Sequence, residues 1–264
     1  MKALLMNEWI KLYKRRSTWL MFILTIIVVA GFGWVNRTTE ALGVSVEMNQ
    51  WTFVNSAMYI SSLVGLFSMI VAARIVSQEV QWGTMKLMLL RPFARWKFLL
   101  SKLLVVVFFS LIIMVLLVLT AILVGGIFFG FSSPMEEASW TMEGREYTTS
   151  TLLLTTLTFL FKWLHMLTFS IISFVLSAIT LSNAFSLGIS LFLFFTGSSL
   201  TFFLAANYEW GKYILFANSD LTQYINGAAL EGLTLVGSFV IVLIYLSLFL
   251  VSAFLVFQKR DVHA

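Results

Sequence analysis

The sequence contains no cysteine, so disulfides, thiolate zinc sites, thiol nucleophiles and cysteine-held iron–sulfur clusters are all excluded. Proline is nearly as scarce, with 2 in 264 residues, and with only 15 glycines the collagen-like, disordered and linker-rich classes fall away too. Charge is thin: Asp, Glu, Lys and Arg make up 11% of the chain, against roughly 25% in an ordinary soluble domain. The histidines are His165 and His263, no His-Glu-x-x-His pair occurs, and no acid lies deep in an apolar run. A membrane-embedded enzyme is therefore left without an acid, a base or a metal ligand. A Gly-x4-Gly-Lys-Ser/Thr phosphate loop is missing as well, since Gly211-Lys212 is followed by Tyr213 and has no leading glycine. The chain is not expected to hydrolyse ATP.

What is present is apolar. Hydrophobic residues make up 60% of the chain, 26 of them phenylalanines, and the mean hydropathy is +0.95. That much apolar surface exceeds what one soluble core can bury, and lipid-exposed helices are the natural use for it. A membrane-crossing helix needs about 20 apolar residues. Uncharged runs of suitable length are 18–35, 52–71 (extending to Arg74), 98–129, roughly 164–181, 184–206 and 233–257. The expected fold is all-α, with six transmembrane helices. The third run would make about 48 Å of helix, so a break is expected near Gly125, Gly126 and Gly130. In the stretch 151–181 the first part is expected outside the bilayer or at its edge, because Lys162 and His165 interrupt it. The first run follows a structured-looking amphipathic segment and is longer than a signal h-region, so it reads as an uncleaved span. Asn36-Arg37-Thr38 reads as a chance sequon.

Charge sorts the two sides. With both termini in the cytoplasm, Lys2, Lys11, Lys14, Arg15, Arg16, Arg74, Lys86, Arg91, Arg95, Lys97, Lys102, Lys259 and Arg260 lie inside, 13 of the 17 basic residues. Arg37, Arg145 and Lys212 fall outside, and Lys162 near the membrane. Of the 12 acids, only Glu8, Glu79 and Asp261 are inside. Basic residues fix orientation, so an even number of spans with both ends cytoplasmic is expected. The net charge of +5 then reflects attraction to anionic lipids and gives no reason to expect nucleic acid as a partner.

Residues 1–17 place Met1, Leu5, Trp9 and Leu12 at helical spacing, with Asn7, Glu8, Lys11, Lys14 and Arg15 on other faces. This predicts an amphipathic helix along the membrane surface. Between the second and third runs, segment 75–97 is basic, and Pro92 biases Arg91 away from helix, separating one short helix from the next. Glu79, then Gly83-Thr84, make this more than a bland basic loop, since a glycine lets another chain approach closely.

The pattern Glu79-x3-Gly83-Thr84, the apolar run 87–90, Pro92, Arg95 and Lys102 resembles that of permease subunits of ABC type-two exporters. The ending Phe257-Gln-Lys-Arg260-Asp261-Val and the opening Asn7-Glu8-Trp-Ile-Lys11-Leu-Tyr-Lys-Arg15-Arg16 are similar to that family's tail and amphipathic N-terminal helix. Ala94 departs from it, a serine being frequent there. The resemblance implies one permease domain, 1–264, in a bacterial cytoplasmic membrane, paired with a second permease, identical or related, and with two copies of a separate ATPase. ATP and Mg would belong to that ATPase, and this chain would bind no cofactor or metal. The ATPase-coupling residues implied are Glu8, Glu79, Gly83, Thr84, Pro92, Arg95 and Lys102. Glu79 and Arg95 would supply charge-assisted bonds to the partner, Gly83 and Thr84 close approach, and Trp82 and Trp96 anchoring at the membrane edge. An amphiphilic substrate, such as a peptide antibiotic, a lipid or a drug-like molecule, would be exported.

Outside, loop 131–150 reads as a solvated cap and 207–232 as an interfacial aromatic belt. Lys162 and His165 share a helical face. Snorkelling of Lys162 to the interface is the leading reading, with a gating or substrate-path role for Lys162, His165 and Glu209 as the alternative. An ATP-independent secondary transporter, or a membrane scaffold or sensor, is the competing function. Such carriers normally place acids or broken helices at mid-membrane, and acids are missing there.

Overall fold

The computed structural model describes residues 1–43, 48–81, 83, 94–142, 145–225 and 232–259. In chain order the elements are α1 (Lys2–Tyr13), α2 (Arg16–Ala41), α3 (Gln50–Ala57), a 3-10 turn (Met58–Ile60), α4 (Ser61–Gln81), α5 (Arg95–Phe129), β1 (Glu137–Met142), β2 (Arg145–Ser150), α6 (Thr151–Thr180), α7 (Asn183–Asn207), a 3-10 helix (Glu209–Tyr213), α8 (Leu215–Ser219), a 3-10 helix (Leu221–Tyr224) and α9 (Leu235–Lys259). Six helical stretches are long and apolar enough to cross a bilayer: 16–41, 50–79, 95–129, 151–180, 183–207 and 235–259. The protein is an all-α polytopic membrane protein, with a single two-stranded hairpin among the described residues.

The expected runs are all helical, but one expectation, about the third, needs correction. No break occurs in the third. α5 continues through Gly125 and Gly126 and stops at Gly130 (φ 81°, ψ 156°). Its 35 residues give a length of about 52 Å. The glycines serve packing here: a Cβ on Gly125 would stand 3.1 Å from the Gln50 carbonyl oxygen and 3.1 Å from the Phe53 ring. Small residues that admit a neighbouring helix are the usual currency of membrane helix packing. The fourth run is likewise one unbroken helix from Thr151, with Lys162 and His165 inside it. The presumed cap 131–150 holds the antiparallel hairpin, in register Glu137↔Ser150 through Met142↔Arg145.

Local chemistry explains where the helices begin. Asn49 caps α3 by accepting from the Thr52 N–H at 2.8 Å, while Thr52 Oγ1 accepts from the Asn49 N–H at 2.9 Å, a reciprocal capping box. Ser182 caps α7 by accepting from the Phe185 N–H.

α6 is central and α9 peripheral: 61% of the best apolar window in α6 is buried inside the protein, against 11% in α9. The α4–α6 contact is built on serines. Ser173 Oγ donates to the Met69 carbonyl at 3.0 Å, and Ser177 Oγ donates to the Ala73 carbonyl at 2.6 Å while accepting from the Ser77 N–H. Trp163 of α6 donates to Ser110 Oγ of α5 at 3.1 Å. Around these bonds, Phe53, Phe109, Met114 and Leu117 form one apolar cluster and Leu99, Val106, Phe174 and Ala178 another. Arg95, at the start of α5, donates to the Gln258 carbonyl near the end of α9, so the start of α5 and the end of α9 share one end of the bundle, and the hairpin follows the far end of α5.

At Gly130 the conformation is one that only glycine adopts readily, and nothing crowds the missing Cβ. Gly130→Ala is expected to cost about 1–3 kcal/mol through backbone strain alone, read as a lowered thermal midpoint in detergent. An unchanged midpoint would show that α5 does not need this turn to stop.

Candidate functional site

Glu8 and Lys11 lie one turn apart on α1, Glu79 lies near the end of α4, and Lys102 lies near the start of α5. The sequence separates them by as much as 94 residues, and the fold closes them into one ring. Glu8 Oε1 accepts from Lys11 at 2.7 Å and Glu8 Oε2 from Lys102 at 2.7 Å. Glu79 Oε1 accepts from Lys11 at 2.8 Å, and Glu79 Oε2 pairs with Lys102 at 2.8 Å. Each carboxylate thus bridges both ammonium groups. Lys102 has no solvent exposure, and its Nζ also donates to the Ile75 carbonyl at 2.8 Å. Its charge also lies 4.7 Å from the centre of the Phe98 ring.

Magnitudes indicate what such a ring is for. At an effective dielectric near 20, each contact at this distance is worth about 6 kcal/mol before desolvation, and removing each ion from water costs several kcal/mol. The two nearly cancel, so the ring adds little net stability over an apolar filling. Its effect is geometric, since only one register of α1 against α4 and α5 satisfies four charges at once. Burial alone would raise the Glu8 carboxyl, but Lys102 first and then Lys11 outweigh it and hold the group below its ordinary 4.5. Burial likewise pulls Lys11 down, and its bonds to Glu79 and Glu8 outweigh that and lift it above its ordinary 10.5.

Helix α1 turns more than one face to its surroundings. Glu8 and Leu12 are buried, with Leu5 and Trp9 packed on the core beside them. Met6, Ile10 and Tyr13 stay exposed, an outward stripe suited to a membrane surface. The turn into α2 is fixed by Thr18 Oγ1 donating to the Leu12 carbonyl at 2.7 Å and by the Trp19 indole donating to the Tyr13 carbonyl at 3.0 Å.

These positions revise the expected coupling set. Glu8, Glu79 and Lys102 come together, but facing inward. Glu79, expected from the motif to face a partner, is 8% exposed and pairs with Lys11 and Lys102, so its carboxylate is engaged within this chain. Gly83 has φ +67°, and nothing lies within 4 Å of where its Cβ would stand. The backbone conformation, and not a close approach inside this chain, calls for glycine there. Arg95 donates to the Gln258 carbonyl at 3.1 Å. Thr84 and Pro92 lie outside the described residues. Lys11 is the member that sequence reasoning missed.

At the other end, Lys162 is neither snorkelling freely nor alone. It pairs with Asp220 at 2.9 Å, and its side chain is 14% exposed. Asp220 also accepts from the Thr222 hydroxyl at 2.6 Å. His165 is buried, edge-on to Phe169 at 5.2 Å between ring centres. Glu209 is exposed on a short 3-10 helix and has no described bond to that group. A cavity of about 230 Å³ opens beside Lys162 and is lined by Asn55, Ser56, Tyr59, Thr158 and Thr222 among others. Segment 207–225 does carry an exposed aromatic belt in Tyr208, Trp210 and Tyr213. Beneath it lies a buried network missed in the sequence: Asn218 donates to the Lys212 and Ile214 carbonyls and accepts from Ser238, which also bonds Tyr224 at 2.6 Å. Among the described residues, no group of three or more His, Asp and Glu is arranged to hold a metal ion.

Removing one member of the ring should be far worse than its net worth suggests. Lys102→Met is expected to cost about 3–5 kcal/mol, because two buried carboxylates then share Lys11. Adding Glu8→Gln should recover part of that loss, as measured by thermal unfolding in detergent. The pH dependence has two edges. A depressed carboxyl contributes stability that is present above 4.5 and lost as acid protonates Glu8 below it. A raised ammonium contributes stability that is present below 10.5 and lost as Lys11 deprotonates above it. The thermal midpoint should therefore be flat between these limits and fall beyond both. A midpoint insensitive to acid would contradict the paired state of Glu8.

Comparison with known proteins agrees with the membrane architecture. A family model described as "Protein of unknown function (DUF2705)" matches residues 20–263. "Uncharacterized protein YhcI" of Bacillus subtilis (strain 168) is 30% identical over 311 aligned positions covering 99% of both chains. "Uncharacterized membrane protein YdbK" of the same organism is 28% identical over 261 positions, covering 96% of this chain and 99% of that protein. With the match running from the start of α2 to beyond the end of α9, the chain belongs to the DUF2705 family.

Proposed function

We propose that this protein is the membrane-embedded permease subunit of an ATP-driven exporter of the ABC type-two kind. Two copies of a separate cytoplasmic ATPase would supply the force, and a second permease, identical or related, would complete the pathway. The observation that carries the reading is the buried ring Glu8–Lys11–Glu79–Lys102, which locks α1, the end of α4 and the start of α5 into one unit. In the sequence, 82–93 joins α4 to α5, with Glu79 before it and Lys102 after it. A push on this segment would be delivered to three helices together. The charged side chains that fix the lever inside the protein are then distinct from those that would meet the ATPase. Arg95 and Trp96, at the segment's return, are better placed for contact, since Trp96 is 43% exposed.

In this reading the ring lies at the cytoplasmic face of a bacterial cell membrane, with both termini inside. The exported substrate is amphiphilic: a peptide antibiotic, a lipid or a drug-like molecule. A second reading, an ATP-independent carrier or a membrane sensor, draws support from the Lys162–Asp220 pair beside its polar cavity, because ionisable pairs near a membrane cavity are typical of coupled carriers.

Co-expression with a candidate ABC ATPase from the same organism, followed by purification through a tag on this chain, tests the proposal. The ATPase should co-elute, and Arg95→Glu should reduce its retention about tenfold or more without lowering the thermal midpoint. Glu79→Lys would reduce it too, but by unseating the ring. That loss of retention should come with a lowered thermal midpoint, which separates it from the loss in Arg95→Glu. Transport by the chain alone in nucleotide-free proteoliposomes would favour the second reading. Because the chain has no cysteine, orientation is open to single-cysteine labelling: Glu136→Cys should react with an impermeant maleimide in intact cells, and Lys97→Cys only after lysis.

A further inference from the structure

Beside the ring, α1, α2 and α4 leave a small cleft of about 40 Å³, lined by Lys11, Arg15, Ser17, Thr18, Arg74 and Gln78 among others. The ring is self-neutral, two carboxylates against two ammonium groups, so the cleft keeps two further positive charges, Arg15 and Arg74. Arg15 donates to Gln78 Oε1 at 2.6 Å. Burial, and then Arg74 beside it, holds Arg15 below its ordinary value, as expected of two cations crowded together. Arg74 has a buried Nε with no hydrogen-bond partner among the described residues. An orphaned buried donor on a permanent cation is costly in a protein interior and signals an absent acceptor.

We propose that this cleft holds the phosphate of a membrane phospholipid headgroup, with Arg74 as the principal donor and Lys11, Ser17 and Gln78 around it. Size limits the ligand. At about 10–15 Å³ for each water-sized atom, the cleft takes roughly three oxygens, the exposed face of one phosphate and far less than a nucleotide. Depth selects the lipid source. The cleft opens where α1 turns into α2, flanked by the edge-on pair Tyr13 and Trp19 at 4.9 Å, both exposed aromatics of the kind that mark headgroup level. Met21 lines the cleft, and Leu24 and Val28 continue its face of α2 with their side chains exposed. Acyl chains hanging from a phosphate in the cleft would run along that face. Guanidinium forks suit phosphate oxygens. This inference does not rest on the export reading and would survive its failure.

Native mass spectrometry of the purified full chain in detergent tests it, using phosphatidylglycerol and, as a probe without phosphate, diacylglycerol with the same chains. The expected result is one retained phosphatidylglycerol, little diacylglycerol, and a loss of lipid affinity of about tenfold or more in Arg74→Gln. Arg74→Lys, which keeps the charge but lacks the buried Nε donor, should fall between the two. A thermal midpoint for Arg74→Gln at or above that of the wild type in lipid-free detergent would show that the loss is not unfolding. Should that variant fail to fold, wild-type affinity in Arg74→Lys would overturn the proposal. Equal retention of diacylglycerol would overturn it, as would wild-type affinity in Arg74→Gln. Displacement of the lipid by inorganic phosphate at matching concentration would overturn the lipid source and assign the cleft to a soluble oxyanion.

Discussion

A lysine without solvent contact is the constraint around which one end of this protein is organised. Lys102 has three protons and a full charge in an apolar setting, and the molecule meets that demand with two carboxylates and a backbone carbonyl taken from α1 and α4. Glu79, near the C-terminal end of α4, where the helix dipole disfavours an acid, is in turn tolerated because two ammonium groups face it. Neither requirement could be met by α4 and α5 alone. The surface helix α1 is therefore an integral part of the bundle, held by charge on one face while another face stays apolar toward the bilayer.

Much of this fold was legible in the sequence, because hydrocarbon imposes long uncharged runs and leaves few other ways to use 60% hydrophobic residues. The misreadings share a cause. Gly125 and Gly126 suggest a break because a glycine weakens an isolated helix, whereas here Gly125 admits the Gln50 backbone. The hairpin was hidden by its charges, although the run Arg145-Glu-Tyr-Thr-Thr-Ser150 is rich in strand formers. The motif offers Glu8, Glu79 and Lys102 as charges for a partner, and the fold pairs them with one another and with Lys11. A motif reports that charges matter, and only packing reports which way they face. Lys11 and Asp220 were missed because their decisive partners lie 68 and 58 residues away in the chain.

The two ends of the bundle use polarity differently. At the α1 end the four charges close on one another, and a single register satisfies them. At the hairpin end the Lys162–Asp220 pair borders an open cavity, and Asp220 is part of a short-helix segment stitched together by Asn218, Ser238 and Tyr224. Under the proposed export reading, the closed ring would be the driven end and the cavity beside Lys162 the end that opens. The serine bonds between α4 and α6 carry stiffness from one end toward the other through the centre.

The ring also bears on how the chain is made. A ribosome delivers residues in order, and Lys102 is the last of the four to emerge. By the time this cation must enter the lipid phase, Glu8, Lys11 and Glu79 have already been synthesised and can wait at the membrane surface. The order of translation therefore spares the third span any interval in which its lysine would sit in oil without a counter-ion, and a circular permutant that put Glu8 last would forfeit that protection.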